Sequence, residues 1–119
     1  MKNILAICLL LFTILGFSQN QSPYKKVFRY NQEIKGLAKV KTIANTYGFI
    51  DENQKEIIVA KFLKIYTFEI KKNDRKYALV KNVAGAYGYI DENGAEIVKD
   101  IYWKKEEAIQ QLNHIINGV

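Results

Sequence analysis

Cysteine is almost missing from this chain. Cys8 is the only one, so no disulfide can form within it. Histidine is equally scarce: His114 stands alone, without the further histidines or cysteines that a zinc site needs, and reads as a helix-surface or interface residue. Beyond the first eighteen residues one serine remains, Ser22, with no base near it in sequence, so Ser-His acyl transfer has no starting point. Asp51-Glu52-Asn53 and Asp91-Glu92-Asn93 open in the manner of calcium loops, but Phe62 and Tyr102 occupy the twelfth positions, where a bidentate glutamate is required. Glu52 and Glu92 could pair as glycosidase carboxylates only if buried, and turn carboxylates are solvated. The expectation is a protein that is not an enzyme, with no catalytic residue, no cofactor and no metal ligand.

Long hydrophobic runs are absent except at the start. Ile4 to Phe17 carries Thr13 as its one polar side chain, follows a short basic start at Lys2, and ends in Gly16-Phe17-Ser18, the small-residue pattern of a signal-peptidase site. Fourteen such residues span about 21 Å as a helix, short of the roughly 30 Å hydrocarbon core. Residues 1–18 therefore read as a signal peptide cut before Gln19, and the mature chain as secreted or periplasmic, with no membrane span. Ile7 before Cys8, where a lipoprotein signal has a small residue, argues against acylation. Cleavage removes Cys8, and the loss of Lys2 lowers the formal charge from +6 to +5. Residues 19–119 suffice for a single domain, built without disulfides on an aromatic core. Its lysines are scattered rather than massed, as on a solvated face.

What the chain does contain, it contains twice. Tyr47-Gly48-Phe49-Ile50-Asp51-Glu52-Asn53 returns as Tyr87-Gly88-Tyr89-Ile90-Asp91-Glu92-Asn93, and an ungapped register also matches Phe28/Phe68, Ala38/Ala78, Val40/Val80, Lys41/Lys81, Ala44/Ala84, Glu56/Glu96, Ile57/Ile97 and Lys64/Lys104. Self-similarity at a fixed period marks stacked supersecondary units, none able to bury its own apolar face. Repeat one is placed at 28–67 and repeat two at 68–103. Alternation of Ala38 and Val40 with Lys39 and Lys41, and of Tyr47 and Phe49 with Gly48 and Ile50, is period two, which predicts β-hairpins. Reversals fall at Ala44-Asn45-Thr46 and Ala84-Gly85-Ala86, then at Asp51 to Gln54 and Asp91 to Gly94. In the second pair an aspartate can bond backbone amides and a residue of positive φ closes a bulged turn. Short third strands follow at Glu56 to Val59 and Glu96 to Lys99. Over 104–117, Ala108, Ile109, Leu112, Ile115 and Ile116 fall at helical spacing before the stop Asn117-Gly118. The predicted fold class is mainly β: an antiparallel meander of two 40-residue repeats with a C-terminal capping α-helix.

Leu37-Ala38-Lys39-Val40-Lys41, the Tyr47 to Asp51 core, the acidic turn and Glu56-Ile57-Ile58, echoed by Tyr77-Ala78-Leu79-Val80-Lys81, Tyr87 to Asp91 and Glu96-Ile97-Val98, resemble the WG-repeat family of bacterial proteins over about residues 28 to 103. The namesake Trp-Gly pair stands here as Tyr47-Gly48 and Tyr87-Gly88. The proline usual after the third strand is absent, since Pro23 is the only one. The resemblance implies a divergent two-copy member, a β-rich scaffold, often exported and used for interaction, with no catalytic residues to carry over.

Tyr47, Gly48, Ile50, Tyr87, Gly88 and Ile90 are expected in the repeat core: each ring needs space, and each adjacent glycine lets a neighbouring strand approach. The alternative for the rings is a stacking platform of Tyr47, Phe49, Tyr87 and Tyr89. The expected function is protein–protein interaction in the cell envelope. The alternative is binding of a carbohydrate or polyanion through Lys61, Lys64, Tyr66, Lys99, Tyr102, Trp103 and Lys104; nucleic acid is not indicated.

Overall fold

The computed structural model describes residues 22–118, and the expected signal segment 1–18 lies outside them. Among the described residues the strands are β1 (Tyr24–Tyr30), β2 (Ala38–Thr42), β3 (Tyr47–Ile50), β4 (Glu56–Ile65), β5 (Glu69–Ile70), β6 (Lys76–Asn82), β7 (Tyr87–Asp91) and β8 (Glu96–Tyr102), followed by helix α1 (Lys105–Asn117). They form one antiparallel sheet in the order β1-β2-β3-β4-β6-β7-β8, with β5 added beside β6. The fold is thus a β meander closed by a C-terminal helix.

Two three-stranded units, β2–β4 and β6–β8, share one register. Lys39↔Phe49, Val40↔Gly48 and Lys41↔Tyr47 in the first answer to Leu79↔Tyr89, Val80↔Gly88 and Lys81↔Tyr87 in the second. Their acidic turns are the same object. Asp51 Oδ1 accepts from the amides of Asn53 (2.8 Å) and Lys55 (2.9 Å), and Asp91 Oδ1 from those of Asn93 and Ala95 (both 2.9 Å). Gln54 (φ 65°) and Gly94 (φ 81°) both take the left-handed conformation.

The third strands are longer than their sequence pattern suggests, because each bulges. Tyr47↔Phe62 and Phe49↔Ile58 leave three residues of β4 opposite Gly48, and Tyr87↔Tyr102 and Tyr89↔Val98 leave three of β8 opposite Gly88. A side chain there would collide: a Cβ on Gly48 would lie 2.6 Å from Ala60 Cα, and one on Gly88 2.7 Å from Asp100 Cα. Each bulge is tied to its unit's first turn. Thr46 Oγ1 donates to the Ala60 carbonyl (2.8 Å), and Asn82 Nδ2 donates to the Asp100 carbonyl (2.9 Å). Different residues thus meet the equivalent half-buried carbonyl of each bulge.

Bending at the bulge carries β4 out of its own unit and into the next, where Lys64↔Lys81 and Ile65↔Val80 pair. The units consequently stack. Phe49, Ile58 and Phe62 of the first share a buried cluster with Ala78, Val80 and Ile90 of the second, and Phe68 closes it edge-on to Phe49, with ring centres 5.8 Å apart. On the far face of the second unit Leu79, Tyr89 and Val98 meet Ala108 and Leu112 of α1. The helix is fixed at its start by Glu107 Oε1, which accepts from the Lys104 amide (3.2 Å), and at its end by left-handed Gly118. Ile109 and Ile115, expected in its apolar stripe, are exposed, because contact is confined to the narrower Ala108–Leu112–Ile116 row.

At the other end β1, which the period-two reading missed, does for the first unit what β4 does for the second. Its pairs Tyr24↔Thr42, Lys26↔Lys41 and Val27↔Val40 match Phe62↔Asn82, Lys64↔Lys81 and Ile65↔Val80, with the irregularity at the same step. The offset here is 38 rather than 40, so Phe28 corresponds to Tyr66 and Tyr30 to Phe68; the expected Phe28/Phe68 match is replaced. Where β4 presents Phe62 and the following segment Phe68 to a dry seam, β1 presents Tyr24 and Tyr30 over Ala38, Val40 and Ile50. Their hydroxyls donate to Glu56 Oε2 (2.8 Å) and the Asp51 carbonyl (2.9 Å). Burial and then the Glu56 carboxylate push the Tyr24 phenol up to about 12.

Two stability tests follow. Gly48→Ala and Gly88→Ala should each cost roughly 1–3 kcal/mol, because backbone and not a flexible side chain blocks the new methyl; equal urea midpoints for variants and wild type would contradict the close approach. Gln54→Gly should stabilise by about 1 kcal/mol by relieving positive-φ strain. Gly94→Gln should cost more than the reverse gain, since its Cβ would also meet the Ile57 carbonyl at 2.7 Å, and thermal unfolding of both variants reads this asymmetry.

Candidate functional site

The seven residues expected to form one ligand face separate into three groups. Lys61 lies on β4, Lys99 on β8 and Trp103 immediately after β8, in two rows of alternate positions, 59, 61 and 63 and 99, 101 and 103, that are all exposed. Apolar side chains occupy much of these rows: Val59, Leu63, Ile101 and Trp103, the last 68% exposed. The bonds from Thr46 to Ala60 and from Asn82 to Asp100 hold the first turns beside the bulges, so Ile43 (80% exposed) and Val83 (70%) stand at equivalent places in the two units.

Tyr102 and Lys104 do not join that row. Tyr102 is half-buried opposite Tyr87 in the cluster beneath α1, and Lys104 supplies the helix N-cap position. Lys64 and Tyr66 form the third group, together with residues that sequence reasoning left out. The Lys64 and Lys105 ammonium groups lie 4.4 and 4.9 Å from the Tyr66 ring centre, and that of Lys81 lies 5.6 Å from the Tyr87 ring centre. Burial raises the Tyr66 phenol, but Lys105, helped by Lys64 and the Tyr87 hydroxyl, outweighs it and holds the group below its ordinary value. Lys105 could not be placed here from spacing, since only the turn of the chain at residues 103–104 brings the helix start back over Tyr66.

Of the expected core residues, Gly48, Ile50, Gly88 and Ile90 are buried, whereas Tyr47 and Tyr87 are half-buried. Lys39 and Lys41 sit 5.3 and 5.6 Å from the Tyr47 ring centre. The fully enclosed rings are Phe49 (1% exposed) and Tyr89 (7%), whose phenol is raised by burial and by Glu69. A stacking platform of Tyr47, Phe49, Tyr87 and Tyr89 is therefore not formed.

Enclosed space is scarce. The seam between β4 and β8 holds a cavity of about 60 Å³, lined by Lys61, Phe62, Glu96 and Asp100 among others, far smaller than the several hundred Å³ usual for organic ligands. A groove of about 290 Å³ runs beside Tyr66, along Thr67, Tyr77, Leu79 and Tyr89. Among the described residues no three His, Cys, Asp or Glu side chains gather as metal ligands do, and no helix is long and apolar enough to cross a membrane. His114 lies exposed on α1. Comparison with protein-family models, with curated proteins and with solved structures returned no match.

Proposed function

We propose that the chain is an exported, non-enzymatic interaction module of the bacterial cell envelope, a divergent two-copy member of the WG-repeat family that binds a protein partner. The observation that carries this reading is the recurrence of exposed apolar side chains at equivalent places in both units, Ile43 with Val83 and Leu63 on β4 with Trp103 just after β8, beside the further exposed apolar side chains of Val59 and Ile101. Single exposed hydrophobics need no explanation, but apolar exposure that recurs at the same places of both units is the kind of surface that partners cover. Trp103 is the natural anchor, because tryptophan dominates binding energy where it is buried by a partner. Lys61 and Lys99 alternate with the apolar positions and favour a partner with acidic groups around an apolar centre.

Export has a direct readout. Intact-mass measurement of the protein recovered from the envelope should give a chain beginning at Gln19, without Cys8 and without an acyl group; a mass that includes Cys8 would refute export by cleavage.

The binding surface is tested by Val83→Ser combined with Trp103→Ala. Both positions are exposed, so the thermal midpoint should stay within the range of ordinary surface changes. Partner retained from native envelope should fall about tenfold or more, as for loss of an interface anchor. Undiminished retention of the same partner by the double variant would overturn the assignment.

A further inference from the structure

We propose that Lys64, Lys81 and Lys105, gathered around the phenols of Tyr66 and Tyr87, form a site for the carboxylate or sulfate groups of an anionic polysaccharide. This reaches beyond the protein-partner reading and uses other side chains, so either can fail alone.

Three cations lie over these two rings, and no carboxylate forms an ion pair with any of them. Lys64 and Lys105 share the Tyr66 ring, and Lys81 lies over Tyr87, whose hydroxyl is close enough to influence the Tyr66 phenol. Among the described residues the ion pairs are Lys39 with Glu33 (3.5 Å) and Lys71 with Glu69 (3.2 Å), and none involves these three lysines. The Tyr66 hydroxyl and, more weakly, Glu106 hold Lys105 above its ordinary value, but Glu106 forms no ion pair with it. An oxyanion seated beside these ammonium groups would gain charge-assisted hydrogen bonds, while phenolic O–H groups donate to its remaining oxygens. Against the effect of burial, Lys105 and Lys64, with the Tyr87 hydroxyl, hold the Tyr66 phenol below its ordinary value.

The architecture narrows the ligand further. Lys64 and Lys105 lie over the Tyr66 ring and Lys81 over Tyr87, where they compete with a stacking nucleobase, and the absence of arginine here removes bidentate phosphate recognition. What remains suits sugars: ammonium and phenol donors, beside a groove of about 290 Å³ whose carboxylate, Glu69, is engaged by Lys71. The first unit repeats the arrangement in part. Lys26 lies 4.5 Å from the Phe28 ring centre as Lys64 does from Tyr66, and Lys41 lies over Tyr47 as Lys81 does over Tyr87, both at 5.6 Å. A linear polymer running along the stack would meet this weaker copy as a second contact.

The test is titration of the purified protein at low ionic strength with dextran sulfate and with polygalacturonate. Two triple variants of equal charge are compared: Lys64→Gln/Lys81→Gln/Lys105→Gln, and a control, Lys25→Gln/Lys35→Gln/Lys72→Gln, at exposed positions elsewhere. The site variant should lose about tenfold or more in affinity for at least one polymer, the sum expected of three exposed charge contacts, and the control should lose far less. Polymer should also shift the ring resonances of Tyr66 and Tyr87 in the wild-type protein, a readout independent of any variant. Equal losses in both triples would mean diffuse attraction to a basic surface and would overturn the site. So would no binding of either polymer, or single-stranded DNA bound through the same lysines as tightly as the polysaccharides.

Discussion

Everything in this fold that is not local depends on the approach of one backbone to two glycines. At Gly48 the chain of β4 comes so near that a methyl group would overlap Ala60, and at Gly88 β8 does the same with Asp100. An antiparallel strand that keeps regular pairing stays with its partner to the end. A bulge gives it a bend and an altered twist, and the glycine supplies the room for the bend. Because β4 bends, its first half closes one unit and its second half opens the next, with Phe62 contacting both. The Thr46 and Asn82 side chains matter for the same reason: a bulge leaves a carbonyl without a ladder partner, and a buried carbonyl left unpaired would cost about 1–3 kcal/mol.

A stack made this way has two unlike ends, and the chain finishes them by different means. Each unit offers a face of Ala, Val and Ile on one side and a face with an aromatic ring on the other. At the seam these meet each other; at the ends they meet something improvised. The ring-bearing end takes α1, whose Ala108 and Leu112 supply the apolar cover that another unit would have given. The opposite end takes β1, which keeps the pairing of a third strand but exchanges Phe62 and Phe68 for Tyr24 and Tyr30. The added hydroxyls reach back to Glu56 and Asp51, which suits rings with water on one side. Terminal elements with a polar outer aspect are what a short repeat array requires.

How much of this was legible in the sequence follows from how local each feature is. The acidic turns were readable because aspartate at the first position and a left-handed fourth residue are properties of five consecutive residues, and Asp51 and Asp91 use them in the same way. The third strands were cut short at Val59 and Lys99, since the bulge destroys alternation at the point where the strand continues. β1 was invisible for a related reason: it resembles residues 62–68 at an offset of 38, and an ungapped comparison at 40 sets Phe28 against Phe68 instead. The candidate face was read as one patch because its lysines and aromatics are neighbours in sequence, whereas successive residues of a strand point to opposite sides.

The two units, alike in backbone, are unlike in charge, and the difference tells where an anion would prefer to sit. In the first unit the position equivalent to Leu79 is Lys39, whose ammonium bonds the Ile65 carbonyl (3.2 Å) and pairs with Glu33, so the cation nearest Tyr47 is already spoken for. The ring corresponding to Tyr66 is Phe28, with no hydroxyl to donate. In the second unit no glutamate ion-pairs with the lysines over the rings, the phenylalanine is a tyrosine, and the helix that caps the stack begins with Lys105 above it. A change made to seal an exposed apolar face thus also delivers the third cation. Capping and charge concentration arise from the same turn of chain after Tyr102, which is why the more positive cluster belongs to the last unit rather than the first.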